Sequence, residues 1–266
     1  MAQPAATSAT EQTQKPAGLT EGLAAKVATL EALLARISAG YGPAVLASSL
    51  SIEDMVVTDA ILRNRASTGT RIDIFTLDTG RMHADTLAVI DAIEHKYGYA
   101  LRVFRPATRA VAEYVTLHGR DAFYTSVDLR KRCCDIRKVE PLKRALAGRK
   151  AWLTGMRREQ SVARTELPVQ AFDAVYGMEK FNPLADWSEP EVWAYIKAYD
   201  VPFNALYEQG YRSIGCAPCS RPVVAGEDVR AGRWWWEQSL SGESAKECGL
   251  HVGPDGDLQR SRAATA

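Results

Sequence analysis

Hydrophobic side chains recur along the chain with two alternating spacings, one typical of helices and the other of buried strands. Between Thr20 and Gly40 they follow the helical spacing, which predicts an amphipathic helix with a polar cap at its start and a glycine at its end. Ser188 and Glu191 form the sequence pattern of a capping box, which predicts the start of another helix. In all, the spacing and caps predict helices over residues 20–40, 53–62, 84–97, 137–146 and 188–199.

Short runs of apolar and β-branched residues separate these helices and predict buried strands. The runs lie at residues 44–47, 72–77, 101–104 and 151–154, and the alternation fades after about Gln170. Strands that alternate with helices indicate an α/β fold, in which a mostly parallel sheet carries helices on both faces. Ligands of such sheets bind at the carboxyl ends of the strands. Three predicted loops leave those ends, at residues 48–54, 78–82 and 155–164.

Length and composition predict a folded chain with a loose start. The 266 residues correspond to one large core, and 46% hydrophobic and 24% charged residues are ordinary for a globular protein. Residues 1–17 have almost no bulky apolar side chain, which predicts a disordered N-terminal tail. No apolar run reaches the roughly 18 residues of a membrane-spanning helix, and no signal peptide is recognisable. We therefore expect a cytoplasmic protein that does not bind membranes.

Positive charge is concentrated in one stretch of the chain. The net charge of +1 argues against general affinity for nucleic acids, but twelve Lys or Arg and only three acidic residues lie between Arg130 and Arg164. Such a block is typical either of a solvated face or of an anion-binding site. Both interpretations stay open at this point.

Five cysteines are too few and too unevenly placed for a framework of disulfide bonds. Cys133 and Cys134 are adjacent, and Cys216 and Cys219 are separated by two residues, so four thiols form two close pairs. Four thiolates suit an iron–sulfur cluster or a zinc ion. The adjacent pair favours a cluster, because paired zinc ligands usually have two to four residues between them. A third alternative is a thioredoxin-like redox pair at Cys216 and Cys219.

The fifth cysteine, Cys248, stands among charged and polar residues near the C-terminus. It is either a packed small side chain or a nucleophile whose pKa Lys246 or His251 could lower. Arg230, Arg233 and three successive tryptophans (Trp234, Trp235 and Trp236) precede it. Arginines present planar forks that match phosphate or sulfate oxygens, whereas the tryptophans fit either packing and an oligomer contact or a functional wall.

The predicted loop at residues 48–54 joins a strand to a helix and contains three serines. Backbone N–H groups and hydroxyls at such a position can hold an oxyanion, although Ser and Asp are also common helix caps. The loop has no Walker lysine, which argues against a P-loop kinase or ATPase.

Seven stretches that together reach from about residue 44 to residue 251 resemble the assimilatory adenylyl-sulfate reductases, relatives of the phosphoadenylyl-sulfate reductases. They are residues 49–54 (SLSIED), 75–81 (FTLDTGR), Cys133-Cys134 with Arg137-Lys138, 153–158 (LTGMRR), 216–219 (CAPC), 232–236 (GRWWW) and 247–251 (ECGLH). The two cysteine pairs and the ECGLH sequence are the most specific of these.

The resemblance implies a fold, a substrate, a cofactor and a reductant. The fold is of the adenine nucleotide alpha-hydrolase-like type, a Rossmann-like α/β sheet with a Cys-rich C-terminal segment. The substrate is adenosine 5′-phosphosulfate, the cofactor is a [4Fe-4S] cluster on the four paired cysteines, and the reductant is thioredoxin. Cys248 is then the nucleophile that takes up the sulfonate, and the residues implied in substrate binding are Ser49, Ser51, Leu77, Lys138, Gly155, Arg164, Arg230, Arg233 and His251.

The end of the helix pattern and the Gly-, Pro- and Cys-rich composition from Tyr211 onward predict the domain organisation. Residues 18–210 form the nucleotide-binding α/β domain, and residues 211–266 hold the cluster and the nucleophile and complete the same domain. A homo-oligomer is possible, and no nucleic-acid partner is expected.

Three alternative functions would each require different features of the sequence. An ATP-using ligase of the tRNA-thiolation or amidation type would need a glycine-rich pyrophosphate loop, which residues 48–54 lack. An iron–sulfur redox sensor that binds a nucleotide or a nucleic acid would have no use for Cys248. Reduction of the 3′-phosphorylated nucleotide stays the nearer alternative, although enzymes that prefer it generally lack both cysteine pairs.

Overall fold

The computed structural model describes residues 19–161 and 164–239, without the side chains of residues 66–68, 238 and 239. Its helices are α1 (Glu21–Gly40), α2 (Ile52–Thr68), α3 (Ala84–Tyr97), α4 (Thr108–His118), α5 (Val127–Cys134), α6 (Glu140–Leu146) and α7 (Glu189–Ala198). Its strands are β1 (Ala44–Ser48), β2 (Ile72–Leu77), β3 (Arg102–Phe104), β4 (Ala151–Leu153), β5 (Gln170–Asp173) and β6 (Met178–Phe181). None of the described helices combines the length and the apolar character that crossing a membrane requires.

The six strands form one sheet in the order β3-β2-β1-β4-β6-β5. All neighbouring pairs are parallel except β5 and β6, which form an antiparallel hairpin at one edge. The chain builds the sheet outward from β1 in one direction and then, with β4, in the other. The strand order therefore reverses between β1 and β4, which is the position where open α/β sheets bind their ligands.

Successive residues of the central strands point to opposite faces of the sheet, and each face has its own apolar cluster. On one face Leu46, Ile74 and Leu153 join side chains from α1, α2, α3 and α7. On the other face Val45 and Trp152 join a smaller cluster with α6. Helices therefore cover both faces, as the sequence predicts.

The predicted elements of the N-terminal half are confirmed, but the helix predicted over residues 53–62 is longer in the structure, where α2 covers Ile52–Thr68. Thr20 caps α1, since its hydroxyl accepts a hydrogen bond from the Leu23 N–H at 3.2 Å, and Ser188 and Glu191 form the capping box of α7. The predicted helix at residues 137–146 has a different start, because residues 135–139 form a π-helical turn between α5 and α6.

Four elements lie outside the predicted pattern, namely α4, α5, β5 and β6. The expectation that alternation fades after Gln170 is wrong, because β6 extends the sheet beside β4. Its sequence does not look like that of a buried strand, since it contains a lysine. Lys180 is nevertheless buried and lies over the Trp152 ring, with its ammonium 4.6 Å from the ring centroid. Only the fold provides that aromatic partner.

The part of the C-terminal segment that is described packs on the α/β core. The Ala217 N–H donates to the Arg81 carbonyl at 2.7 Å, and Ser220 forms an isolated bridge with Arg233. The predicted tail at residues 1–17 lies outside the described residues. The predicted boundary at residue 210 stays a prediction.

We expect Leu46→Ala to lower the free energy of unfolding by about 2–5 kcal/mol, because Leu46 is fully buried on the central strand and its truncation leaves a cavity. Leu117→Ala is the matched control, since Leu117 is 69% exposed and its truncation should change stability by less than about 0.5 kcal/mol. Urea unfolding followed by circular dichroism measures both. Equal effects of the two substitutions would contradict the assigned core.

Candidate functional site

An open cleft lies at the carboxyl ends of β1, β2 and β4, where the strand order reverses. Its lining includes residues from all three loops that the sequence analysis placed at these ends and from the C-terminal segment. Eight of the nine residues implied in substrate binding line this cleft: Ser49, Ser51, Leu77, Lys138, Gly155, Arg164, Arg230 and Arg233. The ninth, His251, lies outside the described residues, as does Cys248.

The carboxylate of Asp54 joins two of the cleft loops. Its Oδ2 accepts hydrogen bonds from the Ser49 N–H at 2.7 Å and the Ser49 hydroxyl at 2.5 Å. Its Oδ1 accepts from the Gly155 N–H at 2.7 Å. Burial raises the pKa of Asp54 to about 6, against the hydrogen bonds from Ser49, which lower it. The loop after β1 and the loop after β4 are thus held together through a single side chain.

A buried ion pair reinforces this junction next to Asp54. Glu53 Oε1 lies 2.9 Å from Arg157 Nη2 and 3.0 Å from Arg157 Nε, and Arg157 also donates to the Trp187 carbonyl. A buried pair of this kind is costly to break, because the remaining partner would be an uncompensated charge. The first turn of α2 therefore holds the loop after β4 by two adjacent acidic residues.

Six cations line the cleft, and two of the four that were implied in substrate binding are held in place by buried contacts. Arg164 is buried and donates to the Gln160 side chain at 2.6 Å. Arg233 is also buried, with its guanidinium 4.5 Å from the Trp234 ring centroid and hydrogen bonds to the carbonyls of Cys219 and Ile214. Lys138 and Arg230 complete the set. The arrangement provides concentrated positive charge for an anionic ligand.

A second, smaller pocket adjoins the cleft and is lined by all four paired cysteines. Lys138 and Arg233 line both the cleft and this four-cysteine pocket. Cys133 and Cys134 end α5, immediately before the π-helical turn that carries Arg137 and Lys138. A π-turn often marks a functional site. Here it places two cations directly after two thiols.

The environment of the thiols is buried and positively charged. Burial raises the pKa of Cys219 to about 12, helped by Cys216 and opposed by Lys138 and Arg233. Burial likewise raises the pKa of Cys133, and Arg137 opposes it. The Thr79 hydroxyl lies 3.1 Å from the Cys216 sulfur and is held by the loop after β2. With their raised pKa values, Cys133 and Cys219 are protonated at neutral pH unless a cationic centre stabilises their thiolates.

The four thiols of the pocket have the chemistry that an iron–sulfur cluster requires of its ligands. Within residues 19–161 and 164–239, no three His, Cys, Asp or Glu side chains are arranged as ligands of one ion. A cluster spreads its irons and takes four thiolates that are further apart than those of one zinc ion. The described lining contains four thiols, no carboxylate and several cations that offset thiolate charge, among them Arg81, Arg130 and Arg137.

The tryptophan run divides between core and surface. Trp234 is buried under Arg130, whose guanidinium lies 4.6 Å from the ring centroid. Trp235 and Trp236 are half-buried and contact Tyr124. Arg130 forms a buried, two-pronged ion pair with Glu237, with distances of 2.7 and 3.0 Å. This pair fastens the segment that precedes residue 240 to the helix that carries Cys133 and Cys134.

The basic residues between Arg130 and Arg164 divide between the lining of the two pockets and an exposed face, and binding of an anion by this stretch stays a prediction. Arg130, Arg137, Arg157 and Arg164 are buried at the two pockets. The remaining basic residues of this stretch include exposed ones such as Lys131 and Lys143, which form a solvated face. Sequence reasoning missed the roles of Asp54, Glu53 and Arg157. The acidic pair at the start of a predicted helix was a signal, but it equally fits a helix dipole.

Fold and site define an α/β protein with a cationic cleft at the switch point of its sheet and a four-cysteine pocket beside it. Residues 43–222 match the family model of the phosphoadenosine phosphosulfate reductase domain. The chain belongs to this family.

Several relatives are similar over most of their length. The chain is 56% identical over 234 residues to an adenosine 5′-phosphosulfate reductase of Burkholderia cepacia, a match that covers 88% of this chain and 90% of the relative. It is 54% identical over 235 residues to one of Neisseria meningitidis serogroup A, covering 88% and 93%. Among solved structures, a phosphoadenylyl-sulfate reductase of Candida auris in a phosphate complex has a TM-score of 0.61 at 25% identity, with 78% of this chain and all of that chain covered.

We expect Gly155→Ala to destabilise the protein by about 1–3 kcal/mol through overpacking, because a Cβ at this position would lie 2.6 Å from Asp54 Oδ1 and 2.8 Å from the Asp54 backbone nitrogen. The control is Gly22→Ala in α1, where no atom lies within 4 Å and stability should stay equal or rise by up to about 1 kcal/mol. Urea midpoints measure both. A Gly155→Ala protein as stable as the parent would contradict the close contact.

Proposed function

We propose that this protein reduces adenosine 5′-phosphosulfate to sulfite and AMP for sulfate assimilation, with thioredoxin as the reductant. The observation that carries the proposal is the convergence of eight implied substrate contacts, from widely separated stretches of sequence, on one cationic cleft beside the four-cysteine pocket. The names of relatives that are more than half identical to this chain support the unphosphorylated nucleotide as substrate.

The cleft provides positive charge for the phosphosulfate and backbone contacts for the adenosine. A phosphosulfate carries two negative charges that repel an approaching thiolate, and Lys138, Arg164, Arg230 and Arg233 offset them. The backbone at Leu77 and Gly155 meets the adenosine at the strand ends, in the position typical of nucleotides on α/β sheets. Binding thus fixes the sulfuryl group while charge builds up on the departing phosphate.

The chemistry is two successive displacements on sulfur. The Cys248 thiolate attacks the sulfuryl sulfur, and the bond between that sulfur and the bridging phosphate oxygen breaks, so that AMP leaves with the electron pair and Cys248 becomes S-sulfocysteine. A thioredoxin thiolate then attacks the Cys248 sulfur, and sulfite leaves with the electron pair of the broken S–S bond. The second thioredoxin thiol resolves the mixed disulfide, so the reductant supplies both electrons.

Cys133, Cys134, Cys216 and Cys219 are proposed to hold a [4Fe-4S] cluster. When bound, it supplies a fixed anionic centre that ties α5 to the C-terminal segment, and it does not need to change redox state. Arg137 and Lys138 offset its charge, and Thr79 orients the Cys216 side of the pocket. Reduced thiols and a thioredoxin partner both require a reducing compartment, which supports a cytoplasmic location.

We expect purified protein to prefer adenosine 5′-phosphosulfate over its 3′-phosphorylated form by at least about tenfold in kcat/KM, equivalent to about 1.4 kcal/mol of transition-state stabilisation. The extra phosphate would lose hydration on entering the cleft and would need a further cationic partner. Sulfite release with reduced thioredoxin measures both substrates, and assays without thioredoxin provide the background. Equal or reversed preference would assign the protein to the 3′-phosphorylated nucleotide instead.

We expect Cys248→Ser to keep its iron and lose more than about 99% of its turnover, since a hydroxyl is a far weaker nucleophile than a thiolate. Cys216→Ser is the matched control and should lose iron. Intact mass after incubation with substrate but no reductant should show one sulfonate on the parent protein and none on Cys248→Ser. A sulfonate mapped to Cys216 or Cys219, or normal turnover of Cys248→Ser, would overturn the mechanism. Tight nucleotide binding without any sulfite release by the parent would instead favour a sensor.

A further inference from the structure

Ser49 is implied in binding the anionic part of the substrate, but its hydrogen-bond donors are committed elsewhere. Its N–H and its hydroxyl both donate to Asp54 Oδ2, at 2.7 and 2.5 Å. The Ser49 oxygen also lies 3.4 Å from the Ser51 N–H, from which it accepts. An ionised carboxylate can only accept hydrogen bonds, so the hydroxyl proton must point to Asp54. In this arrangement it cannot also serve a bound anion.

The surroundings of Asp54 contain little positive charge to keep it ionised. Glu53 is its acidic neighbour on α2, and the nearby Arg157 is paired with Glu53. The loop after β4 contributes the Gly155 N–H, and the segment after α7 contributes Tyr207, a buried phenol whose pKa is raised by burial and by Glu53. Burial accordingly outweighs the three hydrogen bonds that Asp54 accepts, and its pKa rises to about 6.

An anion in the cleft would push this balance further. Lys138, Arg164, Arg230 and Arg233 line the same cleft and would attract a phosphate there, and the bound phosphate would repel the Asp54 carboxylate. This repulsion disfavours the ionised form of Asp54. The two anions also compete for the Ser49 hydroxyl as a hydrogen-bond donor.

We propose that Asp54 is a positioning residue that takes up a proton from solvent when an anionic nucleotide binds, and thereby turns the Ser49 hydroxyl toward the anion. The proton adds to Oδ2, which then donates to the Ser49 oxygen in place of accepting from it. The Ser49 hydroxyl keeps its own proton and turns it toward the cleft, where it can donate to the bound anion. Oδ1 keeps its hydrogen bond from the Gly155 N–H, so the two loops stay joined. This inference rests on the proposed function of the cleft as a nucleotide site.

The test is isothermal titration of the cluster-loaded, full-length protein with AMP, at pH 7 in buffers that differ in ionisation enthalpy. With a free pKa of about 6, Asp54 is mostly ionised at pH 7, so AMP should bind with uptake of about half a proton or more. Adenosine, which lacks the phosphate, should bind with an uptake close to zero. Between pH 6.5 and 7.5 the AMP affinity should fall by about threefold or more, because the ionised form must be protonated on binding.

The Asp54→Asn variant tests whether Asp54 is the group that takes up the proton when AMP binds. This variant should bind AMP without proton uptake, and its AMP affinity should depend less on pH. The AMP phosphate also titrates, but it does so equally for all variants, so its contribution cancels when variants are compared. Asp59→Asn is the matched control, since Asp59 is also buried on α2 but accepts from Tyr97 and Tyr195 rather than from a cleft loop. It should keep the uptake of the parent protein.

The outcomes separate this inference from the function on which it rests. AMP binding without proton uptake, or an uptake of equal size in Asp54→Asn, overturns the role of Asp54 and leaves the function standing. Failure of the parent protein to bind AMP overturns both. If Asp54→Asn does not fold, infrared difference spectra of the parent with isotopically labelled aspartate replace it. A labelled carbonyl band of a protonated carboxyl should appear on AMP binding, and its absence would refute the proposal.

Discussion

An ionised side chain that leaves water must find partners in the protein, and the loops at the carboxyl edge of β1 and β4 meet this requirement repeatedly. Asp54 accepts three hydrogen bonds there, and Glu53 pairs with Arg157. The Asp54–Gly155 hydrogen bond and the Glu53–Arg157 pair join segments that are 101 and 104 residues apart in sequence. Because both acidic residues lie in the first turn of α2, that turn holds the loop after β4 in a fixed position. Buried polar contacts therefore fix the position of the loop after β4 at the edge of the cleft.

The same requirement couples the cleft to the four-cysteine pocket. Lys138 and Arg233 line both, so an anionic centre in one site and an anionic ligand in the other draw on shared positive charge. The Arg130–Glu237 pair extends this coupling from α5 to the segment before residue 240. An anionic group held by the four thiols would therefore act on the same two cations that face the cleft.

Local patterns were sufficient where a segment follows one period and has a clear cap. The helix between Thr20 and Gly40, the strand at residues 72–77 and the helix at residues 84–97 have the predicted positions. Local patterns were insufficient to predict elements whose stabilising contacts come from distant parts of the chain. The strand β6 contains Lys180, whose burial depends on Trp152 of a neighbouring strand, and the π-helical turn interrupts a helix that looks continuous in sequence. In these cases tertiary contacts outweigh local preference.

By itself the sequence determined the α/β alternation, the loops that carry the cleft residues, the grouping of four thiols into two pairs and the family resemblance. These properties depend on spacing and residue type, which are local. Only the tertiary structure decided that both cysteine pairs line one pocket and that this pocket shares two cations with the cleft. It also decided that the N–H and hydroxyl of Ser49 both donate to Asp54. The reason is that each of these contacts depends on how the sheet and its loops pack together. The spacing of residues along the chain does not predict which partner a buried charge will contact.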